Sequence, residues 1–292
     1  MNHQFFSSLP AAIAVAAGLF LGANNSSAAV TYSVGDLLLG FHTDAGVGSG
    51  TSFVFNLGSA ASYKITPGAV PAVTDLGAVL TSTYGSNWFS RTDLYWGIAG
   101  VRDSSAGGGL GVIDGDAKAT IYISRASSAP GASTAWSLAS GSTVISTATS
   151  IASMQGATGS DLSLSGGFEG STEASGTGGR GVLQSEGTTI NSWDEFNPIG
   201  GAAFGGILTG GVQGPLGTGT TAYLDLYRVV GRAASTASPN DTEGAGRYIT
   251  TFSLNSQGIV ATTPVPEPGA GLAAALIVCG AILRRRRNGK GL

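Results

Sequence analysis

The chain is poor in the residues that most catalytic and metal chemistry draws on. It has one cysteine in 292 residues, Cys279, and two histidines, His3 and His42. A single thiol forms no internal disulfide, so an exported form must draw its stability from a packed core. So few imidazoles exclude a several-histidine zinc site within one copy, because such sites need three or four N, S or O ligands. A Ser-His-Asp triad would have to use His42, since His3 falls in an N-terminal leader, and no serine sits in a G-x-S-x-G elbow. His42 ends an expected strand just before Thr43 and Asp44, where a solvated turn is the ordinary reading. Charge is scarce as well, at 11% Asp, Glu, Lys and Arg. Five of the 14 Lys and Arg residues lie after residue 283, and Glu267 is the one acid beyond residue 263. Residues 30 to 263 therefore carry 9 basic and 16 acidic side chains, a net charge of −7 with no basic stripe, which argues against a nucleic-acid partner.

What the chain has in abundance is glycine, 48 residues, with much Ser, Thr and Ala. Such a composition is either disordered or built from short strands and many turns. Alternating apolar residues decide for strands. Leu37, Leu39 and Phe41 share one face, as do Phe53, Phe55 and Leu57, and the glycines from Gly46 to Gly50 join the two runs as a hairpin. The same alternation marks 94–101, 118–124, 222–227 and 248–254, each read as a half-buried strand. Two segments switch to helical spacing. Thr74 and Asp75 are placed to cap and open a short helix carrying Leu76, Val79, Leu80 and Tyr84 ahead of Gly85. Ser142 to Gln155 carries Val144, Ala148, Ile151 and Ala152 on one stripe. Residues 156–219 read as long loops with short strands around Val182 and Ile207. The expected fold is all-β, with sandwich-like or jelly-roll-like antiparallel sheets, one or two short helices and a C-terminal transmembrane-like helix.

The two ends are apolar. Leu9 to Gly22 is a hydrophobic run followed by Ser27-Ala28-Ala29, small residues where a signal peptidase cuts, although Lys and Arg are missing before it. This predicts a signal peptide over 1–29, cleaved after Ala29. An exported domain over 30–261 and a Pro-rich linker over 262–268 follow. At the far end, Gly269 to Leu283 is apolar and would span roughly 22 Å as a helix, short for a hydrocarbon core of about 30 Å. Pro264, Pro266 and Pro268 stop it extending upstream. Arg284, Arg285, Arg286 and Arg287 close the 269–287 segment, with a 288–292 tail beyond, and the positive-inside rule puts the arginines in the cytoplasm.

The order Pro266-Glu267-Pro268, short apolar helix, arginine cluster resembles the PEP-CTERM sorting signal of Gram-negative bacteria. The resemblance covers about a tenth of the chain. It implies an exosortase-type processing enzyme as partner, a transient stay in the inner membrane, and removal or exchange of the tail on the way to the cell surface. Two further stretches, Gly35 to Phe41 with Asn56-Leu57-Gly58, and Trp88-Phe89 with Asp93 to Trp96, resemble segments recurring in PEP-CTERM proteins of uncharacterised function.

Other motifs carry chemistry only on paper. Gly176, Gly178 and Gly181 match G-x-G-x-x-G with Asp194 and Glu195 downstream, but no buried strand precedes them and no amphipathic helix follows. Asp114 and Asp116 could give a calcium ion two oxygens, with Asp103 adding another; a glycine turn explains them without a metal, and D-x-D falls short of an EF-hand loop. Trp88, Trp96, Trp136 and Trp193 could stack on sugars, although large aromatics usually belong to cores. Glu169 with Glu173, or Asp194 with Glu195, could serve glycoside hydrolysis only if they faced each other across a cleft. The leading expectation is a non-enzymatic exported surface or matrix protein with a structural or adhesive role. A module binding extracellular polysaccharide is the alternative, and a secreted glycosidase the third reading.

Overall fold

The computed structural model describes residues 35–65, 76–102, 112–113, 116–117, 119–133, 136, 139–154, 172–174, 177, 179–186, 192–199, 202–204, 208–209, 212–217, 219–231 and 244–263. In chain order the elements are β1 (Asp36–Thr43), β2 (Thr51–Ser59), α1 (Ala60–Ile65), α2 (Gly77–Tyr84), a 3-10 turn (Trp88–Ser90), β3 (Leu94–Val101), β4 (Val112–Ile113), β5 (Asp116–Ala117), β6 (Ile121–Ser127) and α3 (Gly141–Met154). They continue with β7 (Thr172–Glu173), β8 (Gly181–Ser185), α4 (Trp193–Phe196), β9 (Ala202–Ala203), β10 (Leu208–Thr209), β11 (Gln213–Pro215), β12 (Thr221–Val229), β13 (Gly246–Asn255) and β14 (Val260–Thr263). The all-β expectation holds. Ten strands join in one sheet in the order β14-β13-β12-β6-β3-β1-β2-β8-β7, with β11 also paired to β3, and every pairing is antiparallel. β9 with β10 and β4 with β5 form separate two-stranded ribbons.

The apolar alternation read from the sequence becomes the inner face. Leu37, Leu39, Phe41, Phe53, Phe55, Trp96 and Ile98 from the β1–β2–β3 limb share one buried cluster with Leu224, Leu226, Phe252 and Leu254 from β12 and β13. Phe41 stacks between Phe53 and Trp96, with ring centroids 5.9 and 6.3 Å apart. The sheet curls far enough for α1 to bridge the limbs, with Tyr63 at 5.1 Å from the ring of Phe252. The Tyr84 hydroxyl ties α2 to the β1–β2 hairpin: it accepts from Phe53 N–H at 3.0 Å and lies 2.8 Å from the Phe41 carbonyl. Arg91 braces the same hairpin, gripping Asp93 through two nitrogens (3.0 and 2.7 Å) while donating to the carbonyls of Val47 and Ala45.

Alternation suggests half-buried strands, but the central ones are buried on both faces. Every residue of β1 is buried. On the outer face Leu38, Val54, Ala99, Ile121, Ile123 and Val182 form a second core under α3, which contributes Val144, Ala148, Ile151 and Ala152 as its spacing predicts, and under Trp193 of α4. Between Leu38 and His42 the strand offers only a hydrogen at Gly40, and the Trp193 ring fills that space: a Cβ there would lie 2.1 Å from two ring carbons. Helix α2 spans Gly77–Tyr84 with Leu76 in the capping position: its carbonyl accepts the Leu80 N–H at 2.9 Å and its own N–H bonds the Gly258 carbonyl at 3.1 Å. Thr74 and Asp75 lie outside the described residues, as do Ala29 and the whole 264–292 segment with its expected sorting helix. No helix among the described residues is long and apolar enough to cross a membrane.

Candidate functional site

The outer face of β1 carries, in sequence, Leu38, Gly40 and His42, and the space above the last two is closed by α4 and by the start of β11. His42 is 2% exposed, so the solvated turn expected for it is corrected: β1 runs on through Thr43, pairs there with β3, and is roofed from residues far along the chain. Its Nε2–H donates to Gln213 Oε1. The same Gln213 oxygen accepts from Asn197 Nδ2 at 3.1 Å, and Gln213 Nε2 donates to the Asn197 carbonyl at 3.2 Å. A step away, Gln184 Oε1 on β8 accepts the Trp193 N–H at 2.9 Å. Burial pushes the His42 imidazole down, and the Gln213 bond and the Asp194 and Asp44 carboxylates only partly oppose it, so the ring is neutral at pH 7. Gln184 Nε2, Trp193 Nε1 and Asn197 Oδ1 are buried here with unused hydrogen-bonding capacity.

At the rim of this polar centre, Glu186 follows β8. Its N–H bonds the Gly50 carbonyl at 2.9 Å, and its Oε1 accepts from Ser52 Oγ at 3.1 Å. Burial first, and the Asp194 carboxylate second, push the Glu186 carboxyl up to about 7, against the lowering by Ser52 and the Gly50 contact. Asp194 is itself positioned by a hydrogen bond from Ser192 Oγ. The arrangement thus places a neutral, buried imidazole and, at its half-exposed rim, a carboxyl that exchanges its proton near neutrality.

The other residues singled out from sequence fall elsewhere. Asp116 is 1% exposed on β5, where Oδ1 faces Arg228 Nε at 2.5 Å and Oδ2 accepts from the Tyr122 hydroxyl. A carboxylate held between a guanidinium and a phenol is oriented as a structural ion pair, while Asp114 lies outside the described residues. Among the described residues no three His, Cys, Asp or Glu side chains converge as a metal group would require. Trp88, Trp96, Trp136 and Trp193 are at most 9% exposed and belong to the cores. Glu173 is on β7 and Asp194 and Glu195 on α4; Glu169, Gly176 and Gly178 lie outside the described residues, while Gly181 opens β8. Pro266, Glu267, Pro268 and Arg284 to Arg287 lie outside them too. Sequence reasoning missed Glu186, Gln213 and Asn197. Nothing local marks them, because burial and partners from distant segments give them their character. Compared with protein-family models, with curated proteins and with solved structures, the chain matches none.

Proposed function

We propose that the chain is an exported protein of the cell surface or extracellular matrix, structural or adhesive in role, sorted through its C-terminal Pro266-Glu267-Pro268 signal by an exosortase-type enzyme. The observation that carries this reading is the order of the tail's parts: Pro266-Glu267-Pro268, the apolar run from Gly269 to Leu283, and the cluster Arg284 to Arg287. β14 is zipped onto β13 from Leu254↔Val260 to Thr251↔Thr263, and the last described ladder pair comes one residue before Pro264. At the other end β1 begins at Asp36, past the expected cut after Ala29. Cleavage at either address would remove no strand of the described sheet. The ectodomain is then a sandwich-like or jelly-roll-like body formed by the two limbs of one curled sheet, free of disulfides because Cys279 leaves with the tail. The apolar run from Gly269 to Leu283, closed by Arg284 to Arg287, anchors it transiently in the inner membrane before release outside.

Intact-mass measurement of the extracellular form tests the proposal: it should start near Val30 and end near the Pro266-Glu267-Pro268 strap. Glu267→Ala, or deletion of Arg284 to Arg287, should leave an uncut, membrane-held chain, and secretion unchanged by both would refute the sorting role. The glycosidase reading, third after a polysaccharide-binding module, draws on the Glu186 carboxyl raised by burial and by Asp194; polysaccharide hydrolysis lost in Glu186→Gln would establish it over the non-enzymatic one.

A further inference from the structure

The sheet forks at β3. Tyr95, Trp96 and Gly97 pair with Pro215, Gly214 and Gln213 of β11, whereas Ala99, Gly100 and Val101 pair with Ile123, Tyr122 and Ile121 of β6. At the branch point the Ser124 hydroxyl stands in for the ladder: Oγ accepts from Ile98 N–H at 2.7 Å and donates to the Val212 carbonyl. Beyond it β6 runs on with β12 to the pair Ser127↔Tyr223. The diverging branches leave a groove of about 560 Å³ between the end of β6, β11 and the start of β12, a size typical of ligand sites.

We infer that this groove binds a neutral glycan chain. Among the described residues it is lined by Ser127, Ser128, Thr220, Thr221 and Tyr223, which bear hydroxyls, and by the apolar Ala126, Pro215 and Ala222. None of the described lining residues is charged. A phosphate or carboxylate ligand would find no cation to pair with, and an Arg-type fork is what such ligands select for. A purely apolar ligand would cover hydroxyls without satisfying them, at a cost for each. A sugar matches both surfaces: its hydroxyls exchange hydrogen bonds with Ser and Thr, which donate and accept alike, and its C–H face lies against a tyrosine ring. Ser128, Pro215, Gly219 and Thr220 are exposed, so the groove is open to a segment of a polymer. Two glycines shape it. A Cβ on buried Gly214 would come within 2.7 Å of the Ala126 Cβ, so glycine sets how closely the branches approach, whereas a Cβ on Gly219 would meet only Thr221 backbone, 3.7 Å away at the nearest. This deepens the adhesive reading by naming its partner class, and rests on that reading for the source of the glycan.

The test is affinity electrophoresis of the full-length chain in detergent, through gels containing dextran, laminarin or galactomannan, with alginate as the anionic comparison. At least one neutral polymer should retard the chain and alginate should not. Gly219→Trp, which fills the groove from an uncrowded position, and Tyr223→Ala should each weaken retardation roughly tenfold. Exposed Thr220→Arg, which brings charge into the groove without touching the core, should do the same, with thermal melting unchanged. Mobility unaffected by all three neutral polymers, stronger retardation by alginate, or undiminished binding by the Thr220→Arg and Gly219→Trp variants would each overturn the proposal. Because the assay reads binding alone, it can fail while the processed extracellular mass still supports sorting, and the reverse.

Discussion

Replacing Asp116 by Asn should destabilise the protein severely, and the size of the effect follows from what the carboxylate faces. The Asp116 side chain is 1% exposed and that of its partner Arg228 is 4% exposed, with Oδ1 and Nε 2.5 Å apart. Asn is nearly the same size and keeps an oxygen for the Tyr122 hydroxyl, so packing and one hydrogen bond survive. What is lost is the charge opposite a buried guanidinium. Removing one partner of such a pair costs about 3–5 kcal/mol, because the remaining buried ion keeps its desolvation cost and loses this attraction. For a body of this size, at about 2–4 °C per kcal/mol, the melting midpoint should fall by roughly 10 °C. The double change Asp116→Leu with Arg228→Met removes both ions and should recover most of that loss. Circular dichroism melts of the three proteins, with and without millimolar calcium, provide the assay. An ion-paired Asp116 predicts midpoints indifferent to calcium. A loss below about 1 kcal/mol, beneath the range for a buried pair, would refute the reasoning, as would a calcium-dependent midpoint that vanishes in Asp116→Asn.

Three further outcomes follow from other contacts. Glu186, with its carboxyl raised by burial and Asp194 to about 7 from 4.5, holds its proton in the folded state across a window where the unfolded chain has released it, so its contribution to stability declines as pH rises from 4.5 to 7. Glu186→Gln, neutral throughout, should match the native protein near pH 4.5 and exceed it at pH 8 by about 1 kcal/mol, a figure discounted because the group is half exposed; parallel urea titrations with no pH-dependent gap would contradict this. Gly40→Ala forces a methyl into the Trp193 ring, whose carbons stand 2.1 Å from the Cβ position, and should cost about 1–3 kcal/mol by overpacking, with a shift in tryptophan emission as the indole is displaced. Ser124→Ala leaves the Ile98 N–H and the Val212 carbonyl without their shared partner at the fork, at about 1–3 kcal/mol; hydrogen exchange at the Ile98 amide should accelerate, and an unchanged rate would remove the hydroxyl from its bridging role.

The strands that alternation revealed are those whose inner face is built from large side chains: Leu37, Leu39 and Phe41, or Leu224 and Leu226. Their second burial was illegible because on β1 and β2 the outer-face apolar residues Leu38 and Val54 stand among Gly40, His42, Ser52 and Asn56, which read as solvent-facing. At Gly40 the missing volume is supplied by Trp193, and at His42 the missing partner is Gln213, 171 residues away. No local pattern encodes such pairings. β11 is three residues long and β7 two, too short for a period to register, although β11 supplies both the lid over His42 and one wall of the groove. In the candidate centre, Asp194 could be noticed as an acid beside another acid, but Glu186 acquires its raised pKa only through burial against β2 and proximity to Asp194. Glycine is therefore a poor marker of loop in this chain. Gly97 and Gly100 sit mid-strand, where a Cβ would come within 3.0 Å of the Val212 carbonyl oxygen and 2.7 Å of the Asp36 carbonyl oxygen. An enrichment in glycine that looks like disorder by composition is here, at these positions, what lets neighbouring backbones and one indole ring come close enough to give a sheet a core on each side.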